Sequence, residues 1–368
     1  MVHSLLLDGK DYSLVMEKTL GQALRESRGP MLLTGHTGFK GTWMTLLLAY
    51  LKVPVVGYSL APEKDSLFER SNRVGAIPEV FADIRDYDVL EKFIDDMRPS
   101  TIIHMAAQPL VLKSYEQPLD TFDINVMGTA KLLDIASKKK FVKAIAIITT
   151  DKVYKNDNSS RAFTEEDCLE GKDPYSASKV GAESVVSAWQ QISKISGGPA
   201  ILSARAGNVI GGGDFAQDRL IPDLIRSLPS GNLTEIRNPE YTRPWQHVLD
   251  PLVGYLMAVE SLLKGRLIES INFGPDDESI SVRNLVIAAT STFPELKTSI
   301  SFSEATRILK ESEKLQLNSN LAKELLNWSP RWTSHEAIQL SFRWWKEVIE
   351  LNANPIALCK RDIENYFY

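Results

Sequence analysis

Tyr175 and Lys179 stand four residues apart in Asp173-Pro174-Tyr175-Ser176-Ala177-Ser178-Lys179, and a polar triplet, Thr150-Asp151-Lys152, closes an apolar run upstream. Between them they offer a phenol, a carboxyl, a hydroxyl and two ammonium groups, all able to move or hold protons. If Asp173 caps a helix and Pro174 occupies its first turn, Tyr175 and Lys179 project from one face, one turn apart. A cation in that place is expected to lower the phenol from its free pKa of ~10 toward neutrality and make tyrosine a usable base. A Tyr and a Lys at this spacing are also common on exposed helices, so the pair alone decides nothing. Its weight comes from a second segment near the other end of the same domain.

That segment is Met31-Leu32-Leu33-Thr34-Gly35-His36-Thr37-Gly38-Phe39-Lys40-Gly41, followed by an apolar, helix-like run over residues 43–51. A short strand, glycines at three-residue spacing and a helix, in that order, bring backbone N–H groups and a helix N-terminus onto a pyrophosphate. Side chains at Gly35, Gly38 and Gly41 would block the approach. Ordinary strand-to-helix turns use glycine too, but a further strand at residues 53–58 completes a βαβ unit.

The elements that must position these groups are legible as alternation. Apolar strand-like runs at 31–34, 53–58, 79–82, 101–105, 144–149 and 200–204 are separated by helical patterns with short connections. The pattern predicts an α/β fold with a doubly wound parallel sheet of Rossmann type, in which ligands bind beyond the carboxyl ends of the strands. Gly35, His104, Thr150 and Arg205 all fall at such ends and converge on one crevice. After Arg205 the pattern loosens into Gly207-Asn208-Val209-Ile210-Gly211-Gly212-Gly213-Asp214, then Arg219, then Arg243-Pro244-Trp245-Gln246-His247-Val248. Loops rich in Arg, Asn, Asp and Trp beside a cofactor domain suit a polar, phosphorylated substrate. Gly211 to Gly213 read alone are equally a flexible surface loop. Trp328, Trp332, Trp344 and Trp345 are expected in a helical core rather than stacked on bases. We divide the chain into an N-terminal extension (1–29), a cofactor domain (30–204 and 244–273) and a smaller, discontinuous substrate domain (205–243 and 274–368).

With 368 residues and 43% hydrophobic content the chain can bury a large core. A net charge of -5 and a pI near 5.7 argue against nucleic acid as a main partner, and Lys138-Lys139-Lys140 reads as a solvated helix end. Cys168 and Cys359 make no disulfide or metal pattern, so no metal is expected and cytoplasmic surroundings fit. Residues 1–29 mix charged side chains among apolar ones and have neither a signal-peptide core nor a membrane-spanning run.

Taken together, Thr34-Gly-His-Thr-Gly-Phe-Lys-Gly41, His104-Met-Ala-Ala-Gln-Pro109, Asn125-Val-Met-Gly128, Thr150-Asp-Lys152, Tyr175 with Lys179, Arg205 to Asp214 and Arg243 to Val248 resemble the extended short-chain dehydrogenase/reductase (NAD-dependent epimerase/dehydratase) superfamily. Within it they resemble the CDP-glucose 4,6-dehydratases. The resemblance covers almost the whole chain after Gly29. It implies NAD with its pyrophosphate side against Gly35, Thr37, Gly38, Phe39, Lys40 and Gly41. The adenosine would lie near Ser59, Asp83 and Ile84, and the nicotinamide side near Ala106, Ala107, Gln108, Asn125, Tyr175 and Lys179. One departure matters. At the end of the second strand, where a carboxylate would bind the ribose 2′-OH, the chain has Tyr58-Ser59. NAD is nevertheless expected, because similar dehydratases hold it and a redox-neutral cycle needs no external reductant.

By the same resemblance Tyr175 takes the O4 proton, Thr150 hydrogen-bonds O4, Lys179 holds ribose and phenolate, Asp151 is the acid and Lys152 the base of an elimination across C5 and C6. Asp151 then needs a raised pKa and Lys152 a depressed one, and their adjacency makes them a coupled pair. Asn208, Arg219 and Arg243 are expected near the nucleotide diphosphate, and Gln108 and Asp214 near sugar hydroxyls; Arg243 paired to an acidic loop is the plainer alternative. A homodimer or homotetramer is implied through helices around residues 119–136 and 175–195. A 4-epimerase would share Gly35, Tyr175 and Lys179 but has no use for Asp151-Lys152, and a non-catalytic NAD-binding protein has no chemical need for any of them. GDP- and UDP-linked sugars stay open beside CDP-glucose.

Overall fold

The computed structural model describes residues 19–158, 161–228, 234–298, 300–303 and 314–368. Most of the N-terminal extension, residues 1–18, thus lies outside the described residues. Its remainder is part of the core: Leu20 and Leu24 are buried, and Glu260 accepts the Ala23 N–H at 3.0 Å, capping the Gln22–Glu26 turn against the long helix Leu249–Leu263.

Six strands follow in chain order: β1 (Met31–Thr34), β2 (Val55–Ser59), β3 (Glu79–Phe81), β4 (Thr101–His104), β5 (Ala144–Ile148) and β6 (Ala200–Ala206). With a closing strand at Ser270–Phe273 they form a seven-stranded sheet in the order closing strand, β6, β5, β4, β1, β2, β3. Every pairing is parallel. β1, β2, β4 and β5 are buried along their whole length, which is why they read as continuous apolar runs: helices cover both faces. The chain turns back on itself between β1 and β4, so the crevice at their carboxyl ends is where a dinucleotide fold binds its ligand.

Helix Phe39–Tyr50 starts at Gly38 and buries Trp43, Met44 and Leu46 to Leu48 against the sheet. Helix Pro174–Ser196 begins as the sequence predicts, with Asp173 and Ser176 forming a reciprocal capping box and proline in the first turn. Three two-stranded pieces lie beyond the sheet: Val209–Ile210 with Gln246–His247, Thr242–Arg243 with Ile280–Ser281, and Thr234–Arg237 with Ile300–Ser303.

Two features of the last third are sharper than the sequence indicates. Gly211 to Gly213 are not a loose loop. A Cβ on Gly212 would lie 2.0 Å from the Trp344 ring, and the Gly212 carbonyl accepts the Trp43 indole N–H at 2.9 Å. Trp328, Trp344 and Trp345 are buried as expected, while Trp332 packs edge-on between His247 and Tyr366.

Asp250, wholly buried in the first turn of Leu249–Leu263, ties the C-terminal segments down: its Oδ1 accepts the Arg331 N–H at 2.6 Å and the Tyr366 hydroxyl at 3.0 Å. Burial pushes its pKa up to about 7, and Oδ2 has no partner, as suits a protonated acid. Below the ordinary carboxylate range the group is protonated in folded and unfolded chains alike. As pH rises toward about 7 only the unfolded chain ionises there, so the stability this group contributes falls across that window and levels off above it. The melting temperature of Asp250→Asn relative to the parent should therefore climb between pH ~4 and ~7 and then level off, by the equivalent of a few kcal/mol at most. A gap that stays constant with pH would show that Asp250 does not titrate there.

Candidate active site

β5 ends at Ile148, and the chain passes through Thr149 and Thr150 into a single 3-10 turn, Asp151–Val153. The Thr150 hydroxyl caps that turn, accepting the Lys152 N–H at 3.3 Å and donating to Asp151 Oδ1 at 3.0 Å. Asp151 is buried, with Oδ2 unpartnered and lying over Gly207, where a Cβ would come within 3.1 Å of it. Burial raises the Asp151 pKa against the opposing pull of Lys152, the Thr150 hydroxyl and Arg243. That is the state an acid catalyst needs.

Tyr175 is buried at the start of its helix, with the Thr150 hydroxyl near enough to favour its phenolate. Contrary to expectation its pKa is not lowered but pushed up to about 12, because burial outweighs the pull of the Thr150 hydroxyl and of a positive charge. That charge is Arg219 and not Lys179. Lys179 donates instead to the Ile148 carbonyl at 3.1 Å, and burial lowers its own pKa to about 8, with Glu183 pulling the other way.

The glycine cradle has the shape a pyrophosphate requires. Gly35 has φ +73°, and a Cβ there would sit 2.7 Å from the Ala106 nitrogen; a Cβ on Gly41 would sit 2.2 Å from the Gly35 carbonyl oxygen. β1, β4 and the first turn of Phe39–Tyr50 meet here only because both positions lack side chains. At the end of β2 the Ser59 hydroxyl shares a 2.7 Å hydrogen bond with Thr37, which also donates to the Leu60 carbonyl. Ile84 is buried beside Gly128. Asp83 lies next to it, its carboxylate paired with Arg85 through two hydrogen bonds of 2.9 and 2.7 Å. Ala106 donates its N–H to Thr34 at 3.2 Å, and Ala106 and Ala107 stand half-buried beyond β4.

Two expected ligand contacts turn out to be braces. Asn125 sits buried in a single π-turn, Asp123–Met127, where its amide accepts the Gln108 N–H at 2.9 Å and donates to the Ser178 hydroxyl at 2.9 Å, linking the β4 loop to the tyrosine helix. Gln108 does not face a sugar: its amide is fully engaged by Leu110 and by Thr121, and it lies behind the cavity wall.

A cavity of about 510 Å³ opens beyond these strand ends. Thr150, Asp151, Lys152 and Tyr175 line it together with Asn208, Asp214, Arg219 and Arg243. Arg219 pairs with Asp214 at 2.8 Å, and Arg243 lies over the Tyr241 ring, 5.6 Å from its centre, with Nη1 donating to the Thr242 carbonyl at 2.9 Å. Lys40 enters the same cavity beneath the catalytic groups, over the Tyr255 ring, and burial together with Lys179 and Arg219 lowers its pKa to about 7. His36 and His104 are held locally: His36 pairs with Glu79 at 2.8 Å, and His104, its pKa lowered by burial to about 3, is held by the Thr34 and Thr129 hydroxyls.

The family model for GDP-mannose 4,6 dehydratase matches residues 32–340, most of the chain and all of the groups above. This chain belongs to the GDP-mannose 4,6 dehydratase family. With that membership it is a nucleotide-sugar 4,6-dehydratase. It is 38% identical to the CDP-glucose 4,6-dehydratase of Salmonella typhimurium over 351 residues, which cover 91% of this chain and 95% of that one. It is 26% identical to the dTDP-glucose 4,6-dehydratase of Haemophilus influenzae, over 86% of this chain and 97% of the other. Among solved structures it resembles DesIV, a dTDP-glucose 4,6-dehydratase of Streptomyces venezuelae, with a TM-score of 0.76, 24% identity and coverage of 89% and 99%. A UDP-glucose 4-epimerase of Thermotoga maritima reaches the same TM-score of 0.76 at 20% identity, covering 87% of this chain and 99% of that one, so the backbone alone does not separate dehydration from epimerisation.

Reading by local motif missed several residues of this dehydratase. Tyr241, Asn238 and Thr234 all line the cavity, yet they lie on short strands and loops with no spacing that marks them. Tyr255 lies beneath Lys40 in the middle of a helix that reads as plain core. Among the described residues no cluster of His, Cys, Asp and Glu is placed to hold a metal ion, and no helix is long and apolar enough to cross a membrane.

Proposed function

We propose that this dehydratase acts on CDP-glucose with NAD, giving CDP-4-keto-6-deoxyglucose and water. The observation that carries the dehydration chemistry is Asp151: a buried acid with one oxygen unpartnered, beside Lys152 and lining the same cavity as Tyr175. The cradle at Gly35 and Gly41, closed to any Cβ, fits a dinucleotide pyrophosphate, with Thr37, Gly38, Phe39 and Lys40 around it. Ser59 and Ile84 would lie along the adenosine, and Ala106, Ala107, Tyr175 and Lys179 along the nicotinamide side. When bound, NAD accepts a hydride from C4 and returns it to C6. Tyr175 takes the O4 proton, steadied by Thr150. The C4 ketone then acidifies C5, Lys152 removes that proton, and Asp151 protonates the departing C6 hydroxyl so that it leaves as water. Asn208, Arg219 and Arg243 would hold the diphosphate and Asp214 a sugar hydroxyl, with 30–204 and 244–273 serving the cofactor and 205–243 and 274–368 the nucleotide sugar.

A homodimer is supported by apolar side chains left exposed on two neighbouring helical stretches: Leu119 at 85%, Phe122 and Met127 on one, Ile192 and Ile195 at 88% on the other. The unbridged Cys168 and Cys359 fit the cytoplasm.

The test is to incubate the protein and NAD separately with CDP-, dTDP-, GDP- and UDP-glucose and GDP-mannose, and follow loss of one water by mass spectrometry. Water loss from CDP-glucose alone, without net NADH, is the expected result. Turnover of a different donor instead would keep the chemistry and overturn the CDP assignment, and isomerisation without mass change would make the enzyme an epimerase.

A further inference from the structure

One turn beyond Lys179 on the same helix, Glu183 is buried with its carboxylate saturated by donors from the neighbouring strands. Thr149 donates to Oε1 at 2.6 Å and Ser203 to Oε2 at 2.7 Å, while Arg205 donates through Nε and Nη2 at 2.9 Å each. Arg205 continues the chain to the Tyr154 hydroxyl at 2.8 Å, and Tyr154 donates to Asn272 on the closing strand at 2.7 Å. The roles assigned to Thr150, Asp151, Lys152, Tyr175 and Lys179 use neither Glu183 nor Arg205. A buried ion pair is costly to desolvate and adds little stability over an apolar pair, so its place beside the catalytic turn needs another reason.

Thr149 immediately precedes Thr150-Asp151-Lys152, and Lys179 precedes Glu183 by one helical turn. A single carboxylate therefore grips the strand end that delivers the acid and base and stands in the field of the ammonium that serves the tyrosine. We infer that Glu183, clamped by Arg205, is a positioning residue of the dehydration reaction: through Thr149 it fixes the Thr150-Asp151-Lys152 turn, and one helical turn from Lys179 it supplies the negative charge beside that ammonium. The inference rests on the dehydratase reading of this site.

The groups facing Lys179 make the sign of the second effect definite. Lys40 approaches from helix Phe39–Tyr50, His104 from β4 is neutral, and the Ile148 carbonyl accepts a hydrogen bond from Lys179; Tyr175 and Glu183 flank it on its own helix. Of these Glu183 is the charge that opposes burial and holds the Lys179 pKa up at about 8. Removing it leaves Lys40 on one side and an unneutralised Arg205 on the other, so Lys179 would lose its proton at lower pH.

NADH binding by the full-length enzyme, read by fluorescence from pH ~6 to ~9.5, measures that proton without any sugar substrate. The alkaline loss of affinity is expected to begin about one pH unit lower in Glu183→Gln than in the parent. Lys40 is common to both proteins and its charge is coupled to that of Lys179, so the midpoint compared is that of the pair. An unmoved midpoint would overturn the charge role. Thr149→Val and Thr149→Ser test the positioning role and keep the inference decidable if Glu183→Gln fails to fold. Thr149→Val should lower kcat for CDP-glucose roughly tenfold with KM and Tm near the parent, and Thr149→Ser should restore it. Parent-like kcat in Thr149→Val, or a loss that serine does not rescue, would overturn it. A parent enzyme without water loss would instead indict the dehydratase reading, while the NADH titration still stands on its own.

Discussion

Asp151→Asn is expected to abolish water loss, by a factor of about 10² to 10⁴, while leaving the C5 hydrogen exchangeable with solvent. The two outcomes part company because the proton to the C6 hydroxyl and the proton from C5 belong to different side chains. Asparagine keeps the size of Asp151 and an acceptor for the Thr150 hydroxyl, but it has no acidic proton for the leaving group. Lys152 still removes and returns the C5 proton once C4 is oxidised. In D2O, recovered CDP-glucose should therefore gain one mass unit without losing water. Lys152→Ala should lose exchange and dehydration together. Dehydration at the parent rate in Asp151→Asn would reassign the acid, and absence of exchange would mean that C5 deprotonation needs the same carboxyl.

The raised Asp151 pKa follows from position more than from residue type. Its neighbours Lys152 and Arg243 both favour the carboxylate, as in any surface ion pair, yet burial wins. Buried in this way, Asp151 stays protonated at a higher pH than an exposed aspartate would, and activity that depends on its proton should fall on the alkaline side as that proton is lost.

Much of this arrangement is readable from sequence because it is local. A capping box with proline in the first turn needs only Asp173, Pro174 and Ser176, and it places Tyr175 and Lys179 on one face without help from the rest of the chain. The glycine cradle and the apolar strands are likewise short-range patterns. What sequence does not carry is the outcome of competition between distant side chains. Asp83 looks like a free carboxylate at a strand end until Arg85 folds back on it, with Asp120 holding the other side of the guanidinium. Gln108 looks like a sugar ligand until Thr121 takes its amide. The expectation that Lys179 would acidify the phenol failed in the same way. The spacing is right, but the Ile148 carbonyl from β5 claims the ammonium and Arg219, from a loop that closes over the cavity, faces the tyrosine instead.

That exchange of partners bears on the second large effect. Tyr175→Phe should reduce dehydration by about 10² to 10⁴ and, unlike Asp151→Asn, should also eliminate solvent exchange at C5, because without a base for the O4 proton the C4 ketone never forms. Phenylalanine fills the same buried space and removes one hydroxyl, while the Thr150 hydroxyl retains Asp151 as its partner. The stability cost should thus stay near ~1 kcal/mol, and a thermal melt close to the parent would show that the loss is chemical. A phenol held at about 12 is protonated throughout the neutral range, so it cannot begin the reaction as a free phenolate. It must gain acidity as NAD and the substrate bind, beyond what Arg219 already supplies. Arg219→Lys keeps the charge but loses the planar fork that Asp214 grips, so its rate should recover with rising pH more than the parent's does. If Tyr175→Phe keeps C5 exchange, a group other than Tyr175 takes the O4 proton and the order of steps must be redrawn from Thr150.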